Sequence, residues 1–333
     1  MKKAILFFCK LAISGVLALV ILSGFAFVFY NPPTAEAQTE KYTNSKFTPG
    51  IFWSDMTEGF GFGVINNLGY NDPDAYDPTK PVIAVIGSSH TEAFQVPQNK
   101  TYTAQLQDLL QAQRGETVNC LNLGVSGHFL NISVSNFGYF ADSFENVECA
   151  IIEVAELKYT PEEFEKMLAG EYHSDLKPRG TLYSLAQKIP YARLLYKQFQ
   201  DSQQKSSGIA AEEKPLDYFA YEESLNKVMQ QLSDIATENN FPLVILYHCS
   251  LDIENLNILR KDDPKMVEIF QKCCEQNNIG FLDMTNSFTG HFNNTYELPY
   301  GFSNTTIGEG HLNILGHRLI AEELCNYIAK EEN

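Results

Sequence analysis

VIAVIGSSHTE, residues 82–92, falls into two halves of opposite character. Val82-Ile83-Ala84-Val85-Ile86 is unbroken, apolar and largely β-branched, and it follows Pro81, which ends whatever element precedes it. A continuous apolar run of this length suits a strand buried on both faces, as in the middle of a parallel sheet. Gly87-Ser88-Ser89-His90-Thr91-Glu92 is small and polar and carries a hydroxyl, an imidazole and a carboxylate to the end of that strand. Doubly wound sheets bind their ligands there. A serine in that place, behind a glycine that lets the chain turn sharply, is a candidate nucleophile.

The pattern continues downstream. Leu106, Leu109 and Leu110, with Tyr102 a turn earlier, give helical spacing over 102–113, and Val118–Leu123 reads as a second strand ending at Gly124-Val125-Ser126-Gly127-His128. A helix to about Phe144 and a third strand, Cys149–Val154, follow. Strand, helix, strand, helix, strand argues for a parallel α/β sheet. Further strands are expected at 242–247 and 279–282, and helices at 221–238, 264–277 and 313–329. The whole predicts a doubly wound, five-stranded parallel sheet. Residues 160–215 interrupt it with a proline-broken helical stretch and a polar run, Ser202–Lys214, and are expected to form an insertion. Residues 50–80, rich in glycine, aromatics and turn formers, are expected to be irregular.

Lys2, Lys3 and Lys10 precede a charge-free run from Leu11 to Tyr30. About 20 apolar residues span a bilayer as a helix, and lysines before the run place the N-terminus inside and the rest on the extracytoplasmic side. The competing reading is a signal peptide cleaved at the small-x-small sequence Ala35-Glu36-Ala37. The expected organisation is an anchor or signal segment over 1–30, a tether over 31–48 and one domain over 49–333. Of 24 basic residues three lie in the anchor, which leaves 21 against 41 acidic ones in the body. So acidic a body repels nucleic acid and anionic headgroups, which excludes a nucleic-acid partner. Six cysteines beyond Cys9 lack any CxxC pair, and the seven histidines show no paired metal spacing. No metal or other cofactor is expected.

Attack by a hydroxyl on an ester needs a base, a group orienting that base, and donors for the oxyanion. Beside Ser89, the candidate base is His311 in Gly308-Glu309-Gly310-His311-Leu312-Asn313, just before the last helix. Residues two apart in an extended loop point the same way, so Glu309 is the expected orienting acid. Asp283, after the fifth strand, is a weaker substitute.

Together these residues resemble the SGNH, or GDSL-type, esterase and acyltransferase superfamily. Its Gly-Asp-Ser block is matched by Gly87-Ser88-Ser89, its Asn-x-x-x-Ser-Gly block by Asn122–Gly127, and its acid-and-histidine block by Glu309-Gly310-His311. Asn67-Leu68-Gly69-Tyr70 is similar to a lead-in of exported members with polysaccharide-related roles. The resemblance covers about residues 60–330 and implies a flavodoxin-like sheet, Ser89 as nucleophile and His311 as base, with the backbone N–H groups of Ser89 and Gly127 as oxyanion donors. The chain departs from the family in having Ser88 for the usual Asp, and Glu309 two rather than three residues before the histidine. It also lacks the Asn that completes the oxyanion hole after the third strand. That segment reads Glu153-Val154-Ala155-Glu156-Leu157-Lys158, where Lys158 is the remaining candidate donor.

The expected function is an exported serine esterase or O-acyltransferase acting on an acyl group, in first place acetyl, carried by a cell-envelope glycan or a small ester. Transfer would imply a membrane-bound acyltransferase as partner. The alternative is a carbohydrate-binding or assembly protein that kept the fold and lost the chemistry.

Overall fold

The computed structural model describes residues 2–33, 47–172, 189–192, 194–195 and 216–331. The Ala35-Glu36-Ala37 sequence, most of the tether, the Ser202–Lys214 run, His173 and most of the 160–215 insertion lie outside these residues.

A 28-residue helix, α1 (Lys2–Phe29), runs directly into β1 (Tyr30–Asn31), which joins β2 (Phe52–Asp55) and β3 (Gly61–Val64) in a small antiparallel sheet of order β1-β2-β3. The main sheet begins at β4 (Val82–Gly87), followed by a short helix α2 (Ser89–Glu92), α3 (Tyr102–Arg114), β5 (Asn119–Gly124), α4 (Leu130–Ala141) and β6 (Val147–Val154). Then come α5 (Pro161–Leu168), α6 (Tyr218–Glu238) and β7 (Leu243–Tyr247). A hairpin of β8 (Leu251–Glu254) and β9 (Asn257–Arg260) precedes α7 (Pro264–Gln276), β10 (Gly280–Asp283), α8 (Thr285–Thr295) and α9 (Ile314–Glu331).

The five long-range strands pair parallel throughout, in the order β10-β7-β6-β4-β5. Counted along the main sheet alone this is 2-1-3-4-5, the flavodoxin-like order. The expected doubly wound sheet is borne out. β4 sits between β5 and β6 and is buried at all six positions, as its unbroken apolar sequence demands. Register sets Gly87 opposite Gly124 and Ile86 opposite Ile152, so the serine loop, the Ser126-Gly127 loop and Glu153 emerge at one edge. Helix ends follow local chemistry. Thr101, Asp217 and Asp263 cap α3, α6 and α7, and Thr160 with Glu163 forms a capping box on α5. The seven cysteines are thiols, and all but Cys9 are buried.

Residues 50–80 differ from expectation, because they contain β2 and β3. The two strands alternate around a short turn. Trp53 points inward and is fully buried with its ring 4.6 Å from that of Phe94, while Phe52 and Phe62 stay exposed. Each strand has only four residues and half of β3 is glycine, so the propensity signal is weak and tertiary packing overrides it. Gly61 and Gly63 let β3 lie against the chain after α2, where an added Cβ would come within 2.1 Å of the Phe94 carbonyl oxygen or 2.6 Å of Gln98 Oε1. Gln98 then serves as a surrogate strand, accepting from Val64 N–H at 3.1 Å and donating to the Val64 carbonyl at 2.8 Å.

Gly61→Val therefore drives a methyl-bearing carbon into backbone that cannot yield, and is expected to cost about 1–3 kcal/mol, the usual range for overpacking. Gly138→Ala, whose Cβ would only touch Ile235 at 3.9 Å within α4, is expected to hold or raise stability. Thermal unfolding of the two variants beside the parent checks both.

Candidate active site

Ser89 opens α2, directly beyond β4. Ser88 caps this helix, its Oγ accepting from His90 N–H, and Ala93 ends it in the left-handed region at φ 57°. Gly87 has no room for a side chain, since a Cβ would lie 2.2 Å from Thr91 Oγ1 and 2.5 Å from Glu153 Oε2. The result is a sharp strand-to-helix turn.

His311 reaches the serine from the other end of the chain. Its Nε2 lies 2.8 Å from Ser89 Oγ, and its Nδ1 lies 2.6 Å from Glu58 Oε2. A carboxylate only accepts, so with Glu58 ionised the ring proton sits on Nδ1 and Nε2 accepts from the serine hydroxyl. Glu58 also accepts from His311 N–H through Oε1 at 2.8 Å, gripping ring and backbone of one residue. The expected pairing of Ser89 with His311 is present. The carboxylate that meets His311 Nδ1 is that of Glu58 and not that of Glu309. Gly308 and Gly310, at φ 88° and 84°, turn the chain on either side of Glu309 so that it stands exposed at the rim. A Cβ at Gly310 would meet Glu58 Oε1 at 2.2 Å, so the glycine itself makes room for that carboxylate. Asp283 is committed elsewhere, to Arg260 and to Thr285 N–H at 2.9 Å.

Glu58 sits on the turn between β2 and β3, in the stretch expected to be irregular. Asp55 stabilises that turn by accepting from Thr57 N–H at 2.7 Å, and Asn304 clamps it to the His311 loop. The Asn304 side chain accepts from Gly59 N–H at 2.8 Å and donates to the carbonyls of Met56 and Gly59 at 3.0 and 2.9 Å. On the far side, Asn313 donates to the Leu298 carbonyl at 2.7 Å, while Gly301 N–H donates to the His311 carbonyl at 2.9 Å. His311 is held from both flanks.

Two buried carboxylates fix the serine loop from below. Glu153, from the end of β6, accepts from Ser88 N–H at 2.7 Å, Ser88 Oγ at 2.9 Å and His248 Nε2 at 2.8 Å. Burial alone would raise its pKa, but the hydrogen bond and charge of His248, with His90 and Ser88 N–H, outweigh burial and hold it well below the usual carboxylate range. Lys158 is exposed on the loop beyond, so the polar group that β6 sends to the serine loop is an acceptor and not the donor expected there. Glu92, in α2 itself, accepts from Ser126 N–H at 3.0 Å and from Ser126 Oγ. It thereby ties the serine helix to the segment bearing Gly127, which has φ 84° and open space on its Cα. Burial pushes Glu92 up to about 7, against the pull of the Ser126 hydrogen bonds. Asn71, just after the Asn67–Tyr70 lead-in, donates to the Glu92 carbonyl at 2.6 Å and Asn122, in the second block, to the Thr91 carbonyl at 2.8 Å, so both buttress the serine helix.

The His90 ring lies against both the other imidazoles of the cluster, its centroid 5.1 Å from His311 and 4.7 Å from His248. Burial and the neighbouring His248 charge hold His90 well below its usual pKa. A cavity of about 300 Å³ opens beside this cluster, lined by His90, His248, Ser250, Lys261, Tyr300 and Glu309 among others. His317, by contrast, is buried against Tyr102, whose N–H donates to its Nδ1 at 3.2 Å, and stays in the core. A larger cavity, about 470 Å³, lies at the opposite end of the strands beside Arg114, Glu148 and Pro242, away from any of this chemistry.

No protein-family model and no curated protein matches the sequence. Similar solved structures include a two-domain esterase active on acetylated mannans, at 10% identity over 75% of this chain and 49% of that one, with a TM-score of 0.42. The chain thus spans about half the length of that protein. An esterase, EstA, from Pseudoalteromonas sp. is similar at 14% identity over 76% of this chain and 100% of its own, with a TM-score of 0.41. A member of the lipolytic G-D-S-L family from Veillonella parvula is similar at 14% identity over 75% of this chain and 98% of its own, with a TM-score of 0.40. At such identities the functional reading rests on the residues themselves.

Two outcomes are expected. Glu58→Gln lowers kcat/KM on aryl acetates by on the order of 10³–10⁴-fold, as loss of an orienting carboxylate does, whereas Glu309→Gln changes it less than about tenfold; steady-state kinetics on the two variants decides. For Glu92, a folded pKa near 7 against an unfolded value near 4.5 means its contribution is complete below about 4.5 and lost as pH rises through about 7. Thermal unfolding across that window should show the parent losing stability relative to Glu92→Gln as pH increases.

Proposed function

We propose that the protein is a membrane-held serine esterase or O-acyltransferase of the SGNH type, working through an acyl-enzyme on Ser89. The observation that carries this reading is the unbroken hydrogen-bonded chain from Ser89 Oγ through His311 to Glu58 at the open end of β4.

In this reading Ser89 Oγ attacks the ester carbonyl carbon while His311 Nε2 takes the hydroxyl proton, and Glu58 stabilises the imidazolium. The carbonyl oxygen becomes an oxyanion facing the N–H groups of Ser89 and Gly127, each worth on the order of 3 kcal/mol when well aimed. The tetrahedral carbon collapses, the C–O bond to the alcohol breaks, and His311 returns the proton to the leaving alkoxide. Water or a second alcohol, deprotonated by His311, then attacks the acyl-enzyme and frees Ser89. Hydrolysis and transfer differ only in that acceptor. The 300 Å³ cavity beside His90 and Tyr300, polar on several sides, suits a sugar hydroxyl more than an acyl chain. With an acidic body behind an apolar N-terminal helix, the reading favours a short acyl ester, acetyl first, on a cell-envelope glycan outside the cytoplasm. For the transfer version, a membrane-bound acyltransferase is the partner that would supply the acyl group.

Glu153 in place of an amide donor favours a second reading, a glycan-binding protein without turnover. Treatment of the full chain with a fluorophosphonate separates the two. A covalent adduct on Ser89, absent in Ser89→Ala and slowed in Glu58→Gln, is expected for the enzyme. An unmodified serine with an intact fold is the outcome for the binding protein.

A further inference from the structure

The antiparallel sheet that carries Glu58 has one face with no partner among the described residues. Pairing of Phe52 with Val64 and of Ser54 with Phe62 puts those four residues on the outer face, while Trp53, Gly61 and Gly63 face inward. A sheet covered on one side only should be polar outside. Here Phe52, Phe62 and Val64, with Met56 and Phe60 on the connecting turn, are apolar and each 38–47% exposed. Ser54 is buried because its Oγ donates to the Phe27 carbonyl at the end of α1, at 2.9 Å.

The face is continuous with α1. The Phe27 ring lies 5.6 Å from that of Phe52, Phe29 lies 6.1 Å from Phe60, and Phe60 lies 5.7 Å from Phe62. Ala26 is fully buried, Asn31 donates to the Phe52 carbonyl at 2.8 Å, and β1 supplies the edge strand of the sheet. The end of the apolar helix is thus a structural part of the domain. Counting from Lys10, the charge-free run ends at Tyr30. Twenty residues at 1.5 Å rise give about 30 Å, the thickness of the hydrocarbon layer. That ruler sets the outer boundary of the lipid level with Phe27, Phe29 and the exposed sheet face. Aromatic side chains concentrate at this level in membrane proteins.

We propose that α1 is retained and that the outer face of the β1-β2-β3 sheet rests on the bilayer surface, so that the turn bearing Glu58 is held at the membrane. The sheet then has lipid on one side and the chain after α2 on the other. The candidate active site works within a few residues of the headgroups, on an ester or acceptor presented close to the membrane plane. The docking itself rests on the membrane-anchor reading and not on catalysis.

The test uses the full chain with Cys9→Ser in phosphatidylcholine nanodiscs, carrying a nitroxide at Phe62→Cys or Val64→Cys, exposed positions where the change is tolerable. Phe219→Cys on α6, 78% exposed, is the solvent reference. Collision with oxygen, which partitions into lipid, relative to a water-soluble nickel chelate is expected to be several-fold greater at 62 and 64 than at 219. Equal ratios at the three sites, or loss of residues before 38 from the purified protein, overturn the proposal. Fluorophosphonate reactivity at Ser89 is scored in the same samples. Lipid contact without an adduct removes the esterase reading alone, and an adduct without lipid contact removes the docking alone.

Discussion

The contact between Glu58 and His311 Nδ1 is the constraint on which the candidate chemistry depends. An imidazole beside a serine is common, but without a fixed tautomer it has no preferred direction for its proton. Here one carboxylate binds both the ring and the backbone N–H of His311, and Asn304 locks the loops that carry the two residues. The main sheet supplies the serine and the final loop supplies the base. The acid comes from an accessory sheet outside the doubly wound core. Whatever holds that small sheet in place also sets the polarity of the imidazole.

The main sheet was legible in the sequence because its strands are buried on both faces and read as continuous apolar runs at 82–86, 149–152 and 242–247. Ser89 and His311 were legible for a related reason, since each follows or precedes a strongly patterned element at a glycine-marked loop. Glu58 was not. It lies between two four-residue strands, the second with glycines that fit against Phe94 and Gln98, so little in the local sequence marks it. Gly61-Phe62-Gly63-Val64 does alternate, whereas Phe52-Trp53-Ser54-Asp55 sets two apolar residues before two polar ones. That faint two-residue period was the available signal. Glu309 attracted attention by proximity in sequence, which the two left-handed glycines around it undo. The β8–β9 hairpin and α8 also escaped notice, being short and mostly polar.

Glu153 and Glu92 show how the serine loop tolerates its departures from the family pattern. Ser88 lacks a carboxylate of its own, and Glu153 supplies one from β6, with His248 Nε2 on its other oxygen. A buried carboxylate is tolerable when its oxygens are hydrogen-bonded, and both oxygens of Glu153 are. Glu92 has hydrogen-bond donors in Ser126, but burial outweighs them and pushes it up to about 7. One carboxylate therefore stays charged under the loop while the other sits near its titration point.

The acid and the base of the site are 253 residues apart in the chain. By the logarithmic dependence of loop closure on length, bringing such distant residues together costs roughly 5 kcal/mol in chain entropy, more than one hydrogen-bonded pair returns on its own. The pair must therefore be delivered by elements already assembled. α9 packs on α3, where His317 meets the Tyr102 backbone, and the loop before it carries His311 to the serine. A polypeptide emerging N-terminus first exposes Ser89 long before His311. Under the proposed mechanism the serine therefore stays dormant during synthesis until the last helix closes the structure.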